Sequence, residues 1–144
     1  MTGGPMTLVV DASVAVKWLV REEGTEAARC LLAEPDPLIA PDWLLIEAGS
    51  TLWKKVRRSE LLTVHAENHL AVLPTMFQQL VPAVDLVSDA FRLSIQLKHS
   101  IYDCLYLALA IDEGHRVVTA DRKFYDVAVD NGLSDKMTLL GRPE

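Results

Sequence analysis

The sequence predicts an α/β fold, a single domain of three layers in which helices cover both faces of a short-stranded, mainly parallel sheet. Short apolar runs rich in β-branched residues recur along the chain, and segments with helical spacing separate them. The 144 residues fit one domain of ordinary size, and half of them are hydrophobic, enough for a sizeable core. No linker rich in Gly, Ser or Pro divides the chain, so we treat residues 1–144 as one domain.

Five short runs are predicted to form the strands of this sheet. Most are apolar throughout instead of alternating, which is typical of strands buried on both faces. Pro41 ends the second run, because proline cannot donate a hydrogen bond to a neighbouring strand. In chain order the runs lie at residues 7–10, 38–40, 84–86, 116–119 and 137–140.

Seven segments with apolar residues at spacings of three and four are predicted to be helices. Asp11 or Ser13 can cap the first helix, and Gly132 stops the last. Pro74 bends or splits the fourth, because a proline inside a helix removes a hydrogen bond and clashes with the preceding turn. In chain order the segments lie at residues 12–19, 25–32, 42–58, 64–80, 88–97, 100–111 and 122–131.

Composition argues against several classes of protein. A formal net charge of −6 disfavours a surface built for non-specific nucleic-acid binding, although a cluster of site carboxylates would inflate that negative count. No apolar run approaches the roughly 18 residues that span a membrane, and the N-terminus does not resemble a secretory signal. Residues 1–6 are expected to be flexible or left over from cloning, with Met6 an alternative start.

Two cysteines, Cys30 and Cys104, lie in separate apolar segments and do not form a metal-binding spacing. We expect buried free thiols and not a disulfide. Together with the missing signal sequence, this indicates the reducing cytoplasm.

Four acidic residues interrupt apolar runs: Asp11, Glu47, Asp103 and Asp121. A buried, unpaired carboxylate costs several kcal/mol and is normally paired or bound to a metal. Asp11 and Asp121 each follow a predicted strand, and the carboxyl ends of parallel strands form the usual site in such sheets. If Glu47 and Asp103 face that edge from their helices, the four acids form one site for Mg²⁺ or Mn²⁺, which prefer oxygen ligands.

Each acid also has an ordinary structural explanation. Asp11 and Asp121 can cap the helices that follow them. Glu47 can lie on a narrow solvent-facing stripe, and His99 can pair with Asp103 one helical turn later. These explanations would have to hold independently, whereas one cation accounts for all four carboxylates and relieves their mutual repulsion.

Polar and basic residues near the acids extend the candidate site. Ser13 and Thr119 flank the strand-end acids, where their hydroxyls can orient a carboxylate, a water or a phosphate, or simply serve as cap and turn residues. The run from 54 to 58 is explained equally well as a solvated helix end, where cations oppose the macrodipole. The candidates for contact with a nucleic-acid backbone are Lys54, Lys55, Arg57, Arg58, Arg122 and Lys123.

Four segments together resemble a known family. They are Val9-Val10-Asp11-Ala12-Ser13, Glu47 in a helix after a Pro-bounded strand, Tyr102-Asp103-Cys104-Leu105-Tyr106-Leu107-Ala108, and Val118-Thr119-Ala120-Asp121. In order and spacing they resemble the PIN-domain ribonucleases, and more narrowly the VapC-type toxins of bacterial and archaeal toxin–antitoxin pairs. The resemblance covers nearly the whole chain.

This resemblance implies a PIN-like fold and hydrolysis of RNA phosphodiesters to 5′-phosphate and 3′-hydroxyl ends. It implies one or two Mg²⁺ or Mn²⁺ ions held by the catalytic acids Asp11, Glu47, Asp103 and Asp121, with Ser13 and Thr119 in support. One departure is Ser50, since family members often carry Asn one helical turn after the Glu. The role of position 50 is therefore open.

The toxin resemblance also implies a small antitoxin as a partner. Residues 61–80 carry more apolar side chains than one core face requires. This segment can build the antitoxin groove, form a homodimer surface, or pack in the core, and the sequence leaves these alternatives open.

Two other functions are compatible with acids at strand ends. A phosphoacceptor signalling domain also gathers acids around Mg²⁺, but Asp103 in mid-helix fits that arrangement poorly. A non-catalytic module could use the acids to bind a basic peptide, and it would need no metal and cleave nothing.

Overall fold

The computed structural model describes residues 6–141, in which five strands form one sheet flanked by helices. Every neighbouring pair of strands is parallel, so the predicted α/β fold is confirmed and its sheet is entirely parallel. The strands are β1 (Leu8–Val10), β2 (Leu38–Pro41), β3 (Gln79–Val81), β4 (Arg116–Thr119) and β5 (Met137–Leu139). Their spatial order is β3-β2-β1-β4-β5, which places β1 at the centre.

Seven α-helices connect these strands across the described chain. Three of them, the first, sixth and seventh, begin at a side-chain cap; at the sixth, for example, the Ser100 hydroxyl accepts a hydrogen bond from the Tyr102 N–H at 3.1 Å. The helices are α1 (Ala12–Leu19), α2 (Thr25–Ala33), α3 (Trp43–Arg57), α4 (Thr63–Val72), α5 (Val87–Leu97), α6 (Ile101–Glu113) and α7 (Arg122–Asp130).

The third strand is the main correction to the predicted elements. The helix predicted over 64–80 ends at Val72, a 3₁₀ turn spans Leu73–Met76, and residues 79–81 form β3 beside β2. The strand predicted at 84–86 is wrong, because Ala83–Asp85 forms another 3₁₀ turn. Pairing explains the shift, since β2 ends at Pro41 opposite Val81 and offers nothing further along for residues 84–86 to join.

The core lies between the sheet and α6, which contacts β1, β2 and β4. Val9 and Val10 of β1 are fully buried, and seven consecutive residues of α6, from 104 to 110, are buried as well. Burying a large apolar side chain stabilises the fold by about 1.5–3 kcal/mol. The packing therefore fixes α6 firmly against the sheet, and with it the residues of its first turn.

The two thiols are both free, but only Cys104 is buried as predicted. Cys30 is exposed, because α2 packs on the domain through Thr25 and Ala28 on another face. No described helix has the length and apolar composition needed to cross a membrane. Residues 1–6 were expected to be flexible or left over from cloning, and all but Met6 lie outside the described residues. The Met6 N–H donates to the Asp36 carboxylate at 2.9 Å.

Candidate metal centre

The site begins where β1 and β4 end side by side, with Val10 paired to Val118. Asp11 follows β1, and its carboxylate accepts hydrogen bonds from the hydroxyls of Ser13 at 2.6 Å and Thr119 at 2.5 Å. The sheet register thus brings together residues that are 108 positions apart in sequence. The supporting hydroxyls that the sequence predicted do contact Asp11.

Asp11 is the most buried of the four acids, with only 3% of its surface exposed. Burial raises the pKa of Asp11 to about 7; the negative charge of Asp103 adds to this, and the hydrogen bonds from Ser13, Thr119 and the Val14 N–H oppose it. The Val14 N–H donates to the carboxylate at 3.3 Å, so Asp11 also caps α1. The capping explanation and the site explanation both apply to this residue.

Glu47 projects from α3 and is half-buried. The Tyr106 hydroxyl of α6 donates to its Oε1 at 2.6 Å, which links the two helices across the site. Burial raises the pKa of Glu47, the Asp103 charge raises it further, and the Tyr106 hydrogen bond acts against both. Burial together with Glu47 also raises the pKa of the Tyr106 phenol, which therefore remains a hydrogen-bond donor.

Asp103 occupies the first turn of α6, where its Oδ2 lies 2.6 Å from Nε2 of His99. This pairing is the structural explanation that the sequence left open, and it is present. The His99 ring is stacked on Phe124 with the ring centres 5.5 Å apart, which holds the imidazole in place. Burial nevertheless raises the pKa of Asp103, His99 opposes that rise, and the charge of Asp121 adds to it.

Asp121 is exposed and caps α7 by accepting from the N–H groups of Lys123 at 3.0 Å and Phe124 at 3.2 Å. Its own N–H donates to the Thr119 hydroxyl at 3.0 Å. Asp121 is therefore tied through Thr119 to Asp11, although its own side chain faces water.

All four predicted acids line one cavity of about 540 Å³, and so does Ser13, whereas Thr119 lies behind Asp11. The acids come from four different places in the fold: the ends of β1 and β4 and the helices α3 and α6. Asp103 interacts electrostatically with the other three acids. Its charge raises the pKa of Asp11 and of Glu47, and the charge of Asp121 raises the pKa of Asp103.

The donor set suits a hard divalent cation. Carboxylate oxygens are the ligands that Mg²⁺ and Mn²⁺ prefer, and a cation would offset the burial and repulsion that raise three of these pKa values. Among residues 6–141, no three His, Cys, Asp or Glu side chains are already gathered closely enough to form a metal site. Each of the four carboxylates is instead hydrogen-bonded to its own neighbours.

The predicted backbone-contacting cations fall into three groups. Lys54 lines the acid cavity, and a smaller adjoining cavity of about 380 Å³ is lined by Lys54, Arg57 and Arg58. Lys55 lies apart, with its Nζ paired to Glu22 at 3.1 Å and its side chain only 15% exposed.

The last two predicted cations belong to α7, outside the wall of the acid cavity. Arg122 pairs with Asp126 at 3.3 Å, and Lys123 is exposed. Ser50, at the position where the resembled family often has Asn, does line the cavity.

Three aromatic residues of the site escaped the sequence analysis: Trp43, Tyr102 and Tyr106. Their spacing was an available signal, since Trp43 precedes Glu47 by one helical turn and Tyr102 precedes Tyr106 by another. Trp43 and Tyr102 are stacked with ring centres 5.2 Å apart and planes 7° from parallel. The buried Trp43 Nε1 has no hydrogen-bond partner among the described residues.

Comparison with known proteins places this geometry in context. A family model described as the PIN domain matches residues 8–130. Ribonuclease VapC3 of Pyrobaculum aerophilum is 34% identical to the chain over 120 residues, an alignment that spans 82% of this chain and 92% of that protein.

Two solved structures have a similar fold. The protein PAE2754 of Pyrobaculum aerophilum superposes with a TM-score of 0.67 at 22% identity, covering 90% of this chain and 88% of its own. VapC20 of Mycobacterium tuberculosis is described as a toxin that cleaves the sarcin-ricin loop. It superposes with a TM-score of 0.63 at 18% identity, covering 81% of this chain and 92% of its own. At these identities the likeness to the solved structures concerns the fold alone.

Proposed function

We propose, since this chain belongs to the PIN-domain family and within it to the VapC-type proteins, that it is an endoribonuclease toxin dependent on Mg²⁺ or Mn²⁺. The observation that carries the proposal is the convergence of Asp11, Glu47, Asp103 and Asp121 on one cavity. In this proposal they are the catalytic acids and the metal ligands, with Asp11 and Asp103 as the direct ligands.

A divalent cation held there supplies two things: it lowers the pKa of the attacking water, and it stabilises negative charge on the departing 3′-oxygen. The products are then a 5′-phosphate and a 3′-hydroxyl end. No histidine is needed as a general base for this chemistry.

The chain's own side chains hold the acids in place for this reaction. Ser13 and Thr119 fix both oxygens of Asp11, and His99 fixes one oxygen of Asp103. Tyr106 occupies Oε1 of Glu47 and leaves Oε2 to orient the attacking water or accept its proton. Asp121, exposed and engaged as a cap, serves in a supporting position nearer to solvent.

The substrate in this proposal is RNA that presents a single-stranded site, whose unpaired bases are accessible to a protein surface. Lys54, Arg57 and Arg58 are the best-placed candidates for backbone contacts, since they line the acid cavity and the one beside it. Arg122 and Lys123 remain candidates on the neighbouring helix, while Lys55 is the weakest because Glu22 holds it.

The protein partner in this proposal is a cognate antitoxin that acts in the cytoplasm and inhibits the enzyme. Leu62 and Val64 at the start of helix α4 are 64% and 56% exposed, so these two apolar side chains are available for a partner or for a second copy in a homodimer. Leu73 and Phe77, by contrast, are buried, so the core-packing explanation holds for the end of the 61–80 segment. An antitoxin arginine placed against Asp103 would neutralise the central charge of the site.

The test is incubation of purified, antitoxin-free protein with total cellular RNA and Mg²⁺ or Mn²⁺, followed by mapping of new 5′-phosphate ends. We expect discrete ends that disappear with chelator and in the Asp103→Asn variant. That variant should remain folded, with a melting temperature equal to or above that of the parent, because a repelling charge is removed. Full cleavage by Asp103→Asn, or cleavage that chelator leaves unchanged, would refute the assignment.

The two alternative functions have less support. A phosphoacceptor domain is disfavoured by family membership and by the position of Asp103 in a helix. A peptide-binding module is disfavoured because the pKa values of three of the acids are raised. Without a bound cation these acids hold their negative charge less readily, which weakens their attraction for a basic peptide.

A further inference from the structure

The stacked pair Trp43–Tyr102 has no role in the chemistry described so far, although it forms part of the wall of the acid cavity. We propose that this pair is a base-stacking platform, which holds an unpaired RNA base beside the cavity and so helps to determine which RNA strand is cleaved. The inference rests on the proposed ribonuclease function and adds to it the contact made with a base.

Exposure identifies the surface that a base would use. Tyr102 is 51% exposed even though Trp43 is stacked against one face of its ring. The exposed half of Tyr102 is therefore its opposite face and its edge. A base placed there would extend an existing stack, Trp43–Tyr102–base, at the offset parallel spacing that aromatic rings prefer.

The pair is directly connected to the acids. Tyr102 precedes Asp103 in α6, and Trp43 lies one helical turn before Glu47 in α3. One helical turn is about 5.4 Å long. A base on the platform is therefore close enough for a phosphate of the same nucleotide, or of the next one, to reach the carboxylates.

Helix α3 supports an RNA strand over a protein partner as the occupant. Spacings of four and three residues place one stripe along this helix. The stripe begins at the aromatic platform, passes the catalytic acid and a hydroxyl, and ends at two cations: Trp43, Glu47, Ser50, Lys54 and Arg57. Base, cleaved phosphate and flanking phosphate would meet matching groups in that order, whereas an apolar protein surface would have to bury the charges.

A direct test measures binding apart from cleavage. The Asp103→Asn protein in Mg²⁺ serves as the parent, because it should bind RNA without cutting it. The probes are a fluorescein-labelled single-stranded oligoadenylate and an abasic ribose-phosphate oligomer of equal length, with Kd measured by fluorescence anisotropy. A further Tyr102→Leu substitution should raise the Kd for oligoadenylate about tenfold, the loss of one base–aromatic stack. It should leave the Kd for the abasic oligomer unchanged.

Three variants control for unrelated effects. Tyr102→Phe keeps the ring and should match the parent, and Trp43→Phe should nearly do so, because the Trp43 N–H makes no hydrogen bond that phenylalanine would lose. Phe91→Leu removes a comparably exposed aromatic residue, 57% exposed on α5 and outside the acid cavity, and should have no effect on either oligomer. Near-ultraviolet circular dichroism checks that each variant is folded.

Several outcomes would overturn the platform. In the first, Tyr102→Leu raises the Kd for both oligomers equally, and in the second it raises neither. In the third, the parent binds oligoadenylate no more tightly than the abasic oligomer. A Tyr102→Leu effect confined to self-association in sedimentation would assign the pair to a protein interface instead. The nuclease proposal is tested separately, since metal-dependent cleavage with no Tyr102 effect removes only the platform, and base-dependent binding without cleavage removes only the nuclease.

Discussion

Asp11 and Asp121 follow neighbouring parallel strands and begin the helices after them, yet they lie in opposite environments. Asp11 is 3% exposed and its oxygens accept from two hydroxyls as well as the Val14 N–H, whereas Asp121 is exposed and its carboxylate accepts from two main-chain N–H groups. The difference comes from position in the sheet, since β1 is central and β4 lies one strand nearer the edge. The same strand–Asp–helix pattern therefore produces a buried carboxyl group with a raised pKa at one strand end and a solvated cap at the next.

The largest expected effect separates the two residues in catalysis. Asp11→Asn should lower kcat/KM for RNA cleavage by about three orders of magnitude, comparable with the loss of one strong electrostatic stabiliser at an active site. Asp121→Asn should lower kcat/KM by only about tenfold, because this carboxylate is exposed and already accepts hydrogen bonds as the cap of α7. Cleavage of a mapped RNA fragment under single-turnover conditions measures both. Equal losses would mean that burial does not separate their roles.

The pH dependence of stability should show the second difference. Asp11 has a folded-state pKa of about 7 against an ordinary value of 3.8, so the folded protein binds this proton more tightly than the unfolded chain does. Its contribution is therefore most favourable below pH 3.8 and is lost as pH rises towards about 7, by roughly 4 kcal/mol at most. Asp11→Asn should remove this loss, so its advantage in unfolding free energy over the parent grows between those pH values and then levels off.

Denaturant unfolding without divalent cations, at a series of pH values, measures this advantage. Asp121→Asn is the matched control, because it makes the same substitution at an exposed position. A constant difference for Asp11→Asn across the range would contradict the burial argument.

The smallest expected effect concerns capping alone. Asp121→Ala removes the acceptor for the Lys123 and Phe124 N–H groups and should lower the free energy of unfolding by about 1 kcal/mol. Asp121→Ser, which preserves a capping oxygen without the charge, should recover most of that loss. If serine gives no recovery in thermal unfolding, the carboxylate stabilises the fold by its charge and not as a cap.

The strands that precede Asp11 and Asp121, and the edge of the sheet at which these acids meet, could be predicted from the sequence because both depend on local pattern. The apolar runs before Asp11 and Asp121 predicted parallel strands, and parallel strands bring their carboxyl ends to one edge. The departures were tertiary in origin. Residues 79–81 carry an apolar pattern compatible with a helix, and only pairing with β2 makes them a strand.

The contacts between helices were equally beyond local reasoning. The Tyr106–Glu47 hydrogen bond and the Trp43–Tyr102 stack depend on how α3 and α6 face one another, which neither helix encodes by itself. The exposed Cys30 likewise depends on which face of α2 packs. The sequence indicated which residues carry charge into the site, and the packing determined which neighbours hold them.

The two hydroxyls on Asp11 carry a consequence for conformational entropy. The Ser13 hydroxyl accepts a hydrogen bond from the Ala120 N–H at 2.9 Å, and the Thr119 hydroxyl accepts one from the Asp121 N–H at 3.0 Å. Because each oxygen accepts from a main-chain N–H, each hydroxyl directs its own hydrogen towards the carboxylate. With both oxygens held, the side chain loses its rotational freedom when the protein folds. The conformational entropy of the Asp11 side chain is therefore lost on folding and not on ligand binding. A ligand that binds this carboxylate does so without that entropic cost, and its affinity is correspondingly higher.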